Sequence, residues 1–291
     1  MIQINTIKFN KINDQNDISR VESLITPIFS GKSDEQKRYR KKIKSLLLEA
    51  MRNAGANSFK RKAFWFYVNI TLSSGLKKGE PLIKIEEKLR NFIRKHVDRE
   101  KDIKTQELNF AKMRFESIKD FIVGNKILDL GAGNGLLALE IKKQLGKEVF
   151  LVDVVDYNYT DLQLILYNPE DKIPLADEEV DTTILYTVLH HARDPEHLLD
   201  EATRITKTRL VIKEAYIEED DIKIINGFFD WFYNRVIGDE NIYVPLNFLK
   251  IKLWEQLLNS HRFDVIETKY VGIDEPAVPE HHVFIIAEKK S

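Results

Sequence analysis

The run ILDLGAGNG at 127–135 sets apolar residues, a carboxylate and three glycines in close succession. Gly131, Gly133 and Gly135, with Ala132 and Asn134 between them, let a backbone turn lie directly against a ligand, and a helix opening there turns its free N–H groups toward it. Asp153 comes 22 residues after Gly131, where the second strand of a nucleoside-binding βαβ unit ends and a carboxylate accepts both ribose hydroxyls. The spacing also separates one nucleoside from another. A dinucleotide site reads G-x-G-x-x-G and seats a pyrophosphate, whereas here the third glycine arrives one residue early and Asp129 stands at the end of the first strand. A carboxylate in that place repels pyrophosphate and suits a cationic sulfonium that also carries an ammonium group.

Further candidates lie downstream. His190 and His191 follow the expected fourth strand, at the carboxyl edge where open α/β sheets bind ligands, and a histidine there takes a proton from a substrate oxygen or nitrogen. The other reading of either is a hydrogen-bonded spacer within the sheet. Glu214, ending the fifth strand, is a second candidate for gripping substrate. His281 and His282 open the last strand and read as structural. No companion ligand stands at metal spacing beside these histidines, so no metal site is expected. The chain has no cysteine, which excludes disulfides, thiolate zinc sites and cysteine nucleophiles.

The elements that must hold these residues alternate. From 126 onward, β-branched runs at 126–130, 148–153, 162–166, 181–186, 209–214, 263–269 and 283–288 predict seven strands, and 136–145, 195–206 and 250–261 predict helices between them. Only about eight residues, 154–161, link the second strand to the third, too few for a crossover helix. The last two strands have no helix between them and should form an antiparallel pair. Before 126 the pattern is helical: Ser33 with Gln36 forms a capping box, Ser58 caps an aromatic helix ending near Gly75, Pro81 opens a third, and a fourth runs from Thr105. An aromatic insertion at about 220–247 (Phe228, Phe229, Trp231, Phe232, Tyr233, Tyr243) fits either a cover that keeps water from the site or plain core packing.

Residues 126–215 resemble class I S-adenosylmethionine (SAM)-dependent methyltransferases, in particular the type 11 group related to the ubiquinone and menaquinone methyltransferases. ILDLGAGNG resembles the first motif of that family, and KIPLADEEVDTTILYTVLHHARDPEHLLDEATRI its later stretch. The resemblance implies that the turn 131–135 holds the amino-acid part of SAM and Asp153 its ribose, with Asn168, just after the third strand, beside adenine. The family usually has an acid at that last position.

The expected architecture is therefore α/β, a Rossmann-like seven-stranded, mostly parallel sheet (121–291, with the insertion) behind a basic all-helical N-terminal domain (1–120). The expected function is methyl transfer to an oxygen or nitrogen of a small-molecule or peptide-like acceptor. Two other readings stay open, an RNA methyltransferase and a non-catalytic SAM-binding scaffold. RNA is suggested by charge: residues 1–110 carry 24 Lys+Arg against 13 Asp+Glu, a balance of +11, while 111–291 balance at −12. Lys37, Arg38, Arg40, Lys41, Lys42, Lys44, Lys60, Arg61 and Lys62 would contact phosphates, unless this face is merely solvated or docks on the acidic half. No apolar run is long enough to span a bilayer, and the N-terminus lacks an apolar signal region, so a cytoplasmic protein with no membrane partner is expected.

Overall fold

The computed structural model describes residues 14–96, 100–238, 242–275 and 278–290. Five helices come first: α1 (Asp14–Ser30), α2 (Asp34–Asn53), α3 (Ser58–Lys77), α4 (Leu82–His96) and α5 (Glu100–Ile118). The capping box predicted for α2 forms, with Ser33 Oγ accepting the Gln36 N–H and the Gln36 side chain accepting the Ser33 N–H. Three details differ from expectation. Asn57, one residue earlier than Ser58, caps α3 by accepting the Lys60 N–H. That helix also runs through Gly75, which is buried against Ile85. And α1 was not anticipated, although Val21, Ile25, Ile28 and Phe29 give it a buried stripe at helical spacing.

The sheet follows: β1 (Lys126–Leu130), α6 (Leu136–Leu145), β2 (Glu148–Asp153), β3 (Leu164–Leu166), β4 (Val180–Tyr186), α7 (Pro195–Ile205), β5 (Thr206–Ala215), α8 (Asp220–Trp231), α9 (Ile251–Ser260), β6 (Phe263–Glu275) and β7 (Val278–Lys289). Its seven described strands lie in the order β3-β2-β1-β4-β5-β7-β6. All pairs are parallel except those of β7, which runs antiparallel to both β5 and β6. The order reverses between β1 and β4, and the crevice above that reversal is where such sheets take ligands. β2 and β3 pair in parallel although their connection is irregular and contains no helix.

Two cores lie on the faces of the sheet, one built around Leu128, Leu185, Leu199 and Trp254, the other around Ile118, Ile127, Ile184 and Phe284. α5 contributes Phe115 and Ile118 to the second, so it packs on the sheet. A third core joins α1 to α4 with the insertion: Ile25, Leu47, Val68 and Ile85 surround Phe228, Phe229, Trp231 and Phe232. The aromatic stripe of 220–247 is therefore core, inside the helical body. Glu86 of α4, fully buried, accepts hydrogen bonds from Trp231 Nε1 at 2.7 Å and from Arg235 Nε and a terminal nitrogen at 2.9 Å each, tying the two sequence-distant parts together.

Candidate active site

The turn after β1 is built as its glycines require. Gly131 and Gly133 have φ of +77° and +53°, in the left-handed region that a side chain disfavours. A Cβ on Gly131 would lie 2.5 Å from Val188, whereas one on Gly133 would project into open space. Asp153, at the end of β2, reaches back to this turn, with Oδ2 accepting the Gly133 N–H at 2.8 Å and Oδ1 the Val154 N–H at 2.7 Å. Asn134 caps α6 through Leu136 N–H, Gly135 is the residue before that helix, and Ala132 is buried beneath the turn.

Asp129 lies below the turn and is buried, with Oδ2 lacking any hydrogen-bond partner. Burial first, and then the charge of Asp153, pushes its pKa up to about 7, against the pull of Arg114 and of the Ala138 N–H.

A cavity of about 380 Å³ opens above these residues. Its lining includes Gly131, Gly133, Asp153, Val155, Tyr167 and Pro169 together with Thr187, His191, Asn234 and Tyr243, while Asp129 lies outside it. Asn168 is exposed and outside the lining, between two residues that belong to it. Thr187 holds a φ of +56°, an unfavourable conformation for a β-branched residue, fixed by its N–H bond to the Lys213 carbonyl and its hydroxyl bond to Tyr186 O.

The two histidines occupy a short 3-10 turn, Leu189–His191, but face different surroundings. His191 lines the cavity, while His190 is buried to 1 % exposure behind it. Glu214, also fully buried, lies outside the cavity wall: one oxygen accepts the Val188 and Leu189 N–H groups at 2.9 and 2.8 Å and the other meets His190 Nδ1. Asp230, from α8, approaches both rings, at 3.3 Å from His191 Nε2 and 3.9 Å from His190 Nε2. Burial opposes a charge on either ring. For His190 the carboxylates of Glu214, Asp230 and Glu280 outweigh burial, and its pKa is pushed up to about 9. His191, disfavoured by burial and then by its charged neighbour, is pushed down to about 4. One imidazole is thus cationic and hidden while the other is neutral and faces the cavity. Pairs separated in this way are a mark of working sites.

Sequence reasoning missed Asp230 and Asn234, and named Tyr243 only within the aromatic insertion. All three belong to the insertion, and Asn234 sits on a π-helical turn, Phe232–Gly238, that sends Phe232 and Val236 to the core and Asn234 to the cavity. An acid, an amide and a phenol between core aromatics were the available signal. His281 and His282 lie away from the cavity: His282 is buried and bonded to Asp274 at 2.7 Å, and His281 N–H is bound by Asn226 at 2.8 Å.

Comparison with known proteins accords with this geometry. A family described as "Methyltransferase domain" matches residues 128–210. An uncharacterized protein of Methanocaldococcus jannaschii is 26% identical over 156 residues, covering 54% of this chain and 73% of its own. Among solved structures, the chain is similar to a SAM-dependent methyltransferase from Methanosarcina mazei (17% identity, TM-score 0.47, 60% of this chain and 97% of that one). It is likewise similar to a SAM-dependent methyltransferase from Aquifex aeolicus (19% identity, TM-score 0.43, 60% and 87%). The family match spans β1, the glycine turn, Asp153 and the histidine pair, so this segment is a methyltransferase domain.

Proposed function

We propose that this SAM-dependent methyltransferase transfers its methyl group to an oxygen or nitrogen of a small-molecule or peptide-like acceptor held against His191, Asn234 and Tyr243. The observation that carries this reading is that one cavity is lined both by the glycine turn and Asp153 and by these three polar groups. SAM supplies, when bound, an electrophilic methyl on a sulfonium.

The residues present fit that cofactor. Asp129 Oδ2 is a buried carboxylate oxygen without a partner, suited to a cationic group. The open space beside Gly133 is where a side chain would collide with a ligand. Asp153 keeps lone pairs beyond its three backbone bonds for the ribose hydroxyls. Tyr167 and Pro169 supply faces for the adenine, in place of the expected Asn168.

On the acceptor side, neutral His191 donates Nδ1–H to the Tyr243 carbonyl at 2.9 Å, which leaves Nε2 as the lone-pair nitrogen that can receive a proton. Glu214 is a positioning residue, fixing the 3-10 turn and the His190 ring. Holding the nucleophile in line with the methyl group contributes most of the rate in such a transfer, and a base adds to it. Incubation with methyl-labelled SAM and pooled metabolites, peptides and structured RNA tests the reading. Label is expected in the low-mass fraction, and label confined to RNA would overturn it.

The RNA reading keeps one observation in its favour. Phe59 and Phe66, 81% and 67% exposed, stand on α3 with exposed Lys60 and Lys62, an arrangement able to stack bases and meet phosphates.

A further inference from the structure

The cluster behind the cavity gathers buried carboxylates around two imidazoles. His191 Nδ1 faces a backbone carbonyl, which can only accept, and His190 Nδ1 faces the Glu214 carboxylate. With both Nδ1 atoms committed as donors, both Nε2 atoms lie toward the same oxygen, Asp230 Oδ1, and that of His191 also has the Asn234 amide at 3.4 Å. The surrounding carboxylates that favour a proton on His190 would equally favour a metal cation in its place, since metal and proton compete for the same ligand atom. Asp230 is fully buried, and among the described residues its Oδ2 has no partner and its Oδ1 receives, apart from these rings, the Asn234 amide at 2.8 Å. Glu280, buried alongside and paired with His282 at 3.7 Å, adds a further carboxylate.

We propose that His190, His191 and Asp230 bind one divalent transition-metal ion at the edge of the cavity. Their ligand atoms lie within 4.8 Å of one another, with edges of 3.3 and 3.9 Å at Asp230. An ion about 2.1 Å from each ligand needs edges of roughly 3.0–3.4 Å, so modest inward movement of the side chains closes the site. Two imidazoles and one carboxylate select a first-row transition metal over magnesium or calcium, which prefer all-oxygen shells. The outer shell is also present: the Glu214 carboxylate on one imidazole and a backbone carbonyl on the other fix the tautomers that ligation requires. Because His191 belongs to the cavity wall as well, the ion lies within reach of a bound acceptor. An ion bound at His191 Nε2 takes the lone pair given above to a proton, so the two roles exclude one another at that atom, and the site stands on its own geometry.

The test uses the full chain, stripped of metal with a chelator and titrated with cobalt(II) alone by calorimetry and visible absorption, with S-adenosylhomocysteine affinity measured on the same samples. One cobalt per chain with a micromolar or lower dissociation constant is expected. Asp230→Asn, which keeps the volume and a bond to Asn234, should weaken cobalt by about 10–100-fold or more and leave S-adenosylhomocysteine binding unchanged. Substoichiometric cobalt, or equal affinity in wild type and Asp230→Asn, would overturn the metal site and leave the methyltransferase reading standing. Loss of S-adenosylhomocysteine binding with cobalt retained would do the reverse. Should Asp230→Asn fail to fold, X-ray absorption of the cobalt-loaded wild type decides: two imidazole ligands support the site, and a shell without imidazole sinks it.

Discussion

Asp153 and Asp129 are both carboxylates, yet their surroundings assign them different work. Asp153 already accepts the Gly133 N–H of the glycine turn and the Val154 and Val155 N–H groups of its own following chain, so its loss removes ribose bonds and loosens the turn together. Asp153→Ala is expected to weaken S-adenosylhomocysteine by about 2–4 kcal/mol, read by calorimetry, and unchanged affinity in a folded variant would refute the ribose assignment. Asp129 makes a prediction about pH. With its pKa raised from 3.8 to about 7, the folded protein holds a proton that the unfolded chain has released between those values. Its contribution to stability therefore falls as pH rises through that window. The cofactor's cationic group needs the ionised form, so binding should release a proton below about pH 7 and affinity should rise there with pH, by at most about tenfold per unit. Titrations at pH 5.5, 6.5 and 8 check this, and in Asp129→Asn the slope should vanish.

At the scale of the element, the turn between β1 and α6 contains glycines with unequal reasons for being glycine. Gly131 has both a positive φ and Val188 at 2.5 Å from any Cβ, while Gly133 has the positive φ alone. Gly131→Ala should therefore destabilise the fold by more than the roughly 1–2 kcal/mol that a left-handed conformation costs by itself. Gly133→Ala should stay near that figure and instead show its main effect on cofactor affinity, because its methyl group enters the cavity. Thermal melts with and without S-adenosylhomocysteine separate the two, and equal losses of stability would contradict the difference in packing. The 3-10 turn after β4 shows a similar economy, since a single buried carboxylate, Glu214, fixes both its backbone and the ring of His190.

Over the whole molecule, α1 to α4 and the insertion after β5 share one hydrophobic core. Arg38 pairs with Asp221 of the insertion at 2.8 Å within this body, and Lys41, Lys44, Lys60 and Lys62 are exposed. Added salt up to 1 M should thus leave the melting temperature nearly unchanged, because apolar burial holds this core and an exposed pair such as Arg38–Asp221 contributes little. Reversal of Lys41, Lys42 and Lys44 to Glu should likewise not open the protein. A steep fall in melting temperature in either experiment would favour electrostatic docking. Glu86→Ala, in contrast, strips the buried Arg235 and the Trp231 N–H of their shared partner and should cost about 3–5 kcal/mol. Because Asp230 flanks Trp231 in sequence, this variant should also disturb the cavity, which a fall in turnover beyond the loss of folded protein would reveal.

The strand, glycine turn and Asp153 were legible because their chemistry is local: a tight turn needs glycine, and the acid sits one βαβ unit further on, at a spacing set by chain geometry. The seven strands and the antiparallel closing pair followed from periodicity and from the missing helix between the last two. The same local reading missed α1, although Val21, Ile25, Ile28 and Phe29 had the helical spacing. What it had no means to reach was the environment of His190 and His191. Whether a histidine faces a cavity or a buried carboxylate depends on which segment packs across from it, and here that segment is α8, brought there because its aromatic residues complete the core of the distant N-terminal helices. Burial of that stripe, a long-range hydrophobic effect with no local signature of its partner, is what carries Asp230, Asn234 and Tyr243 to the site.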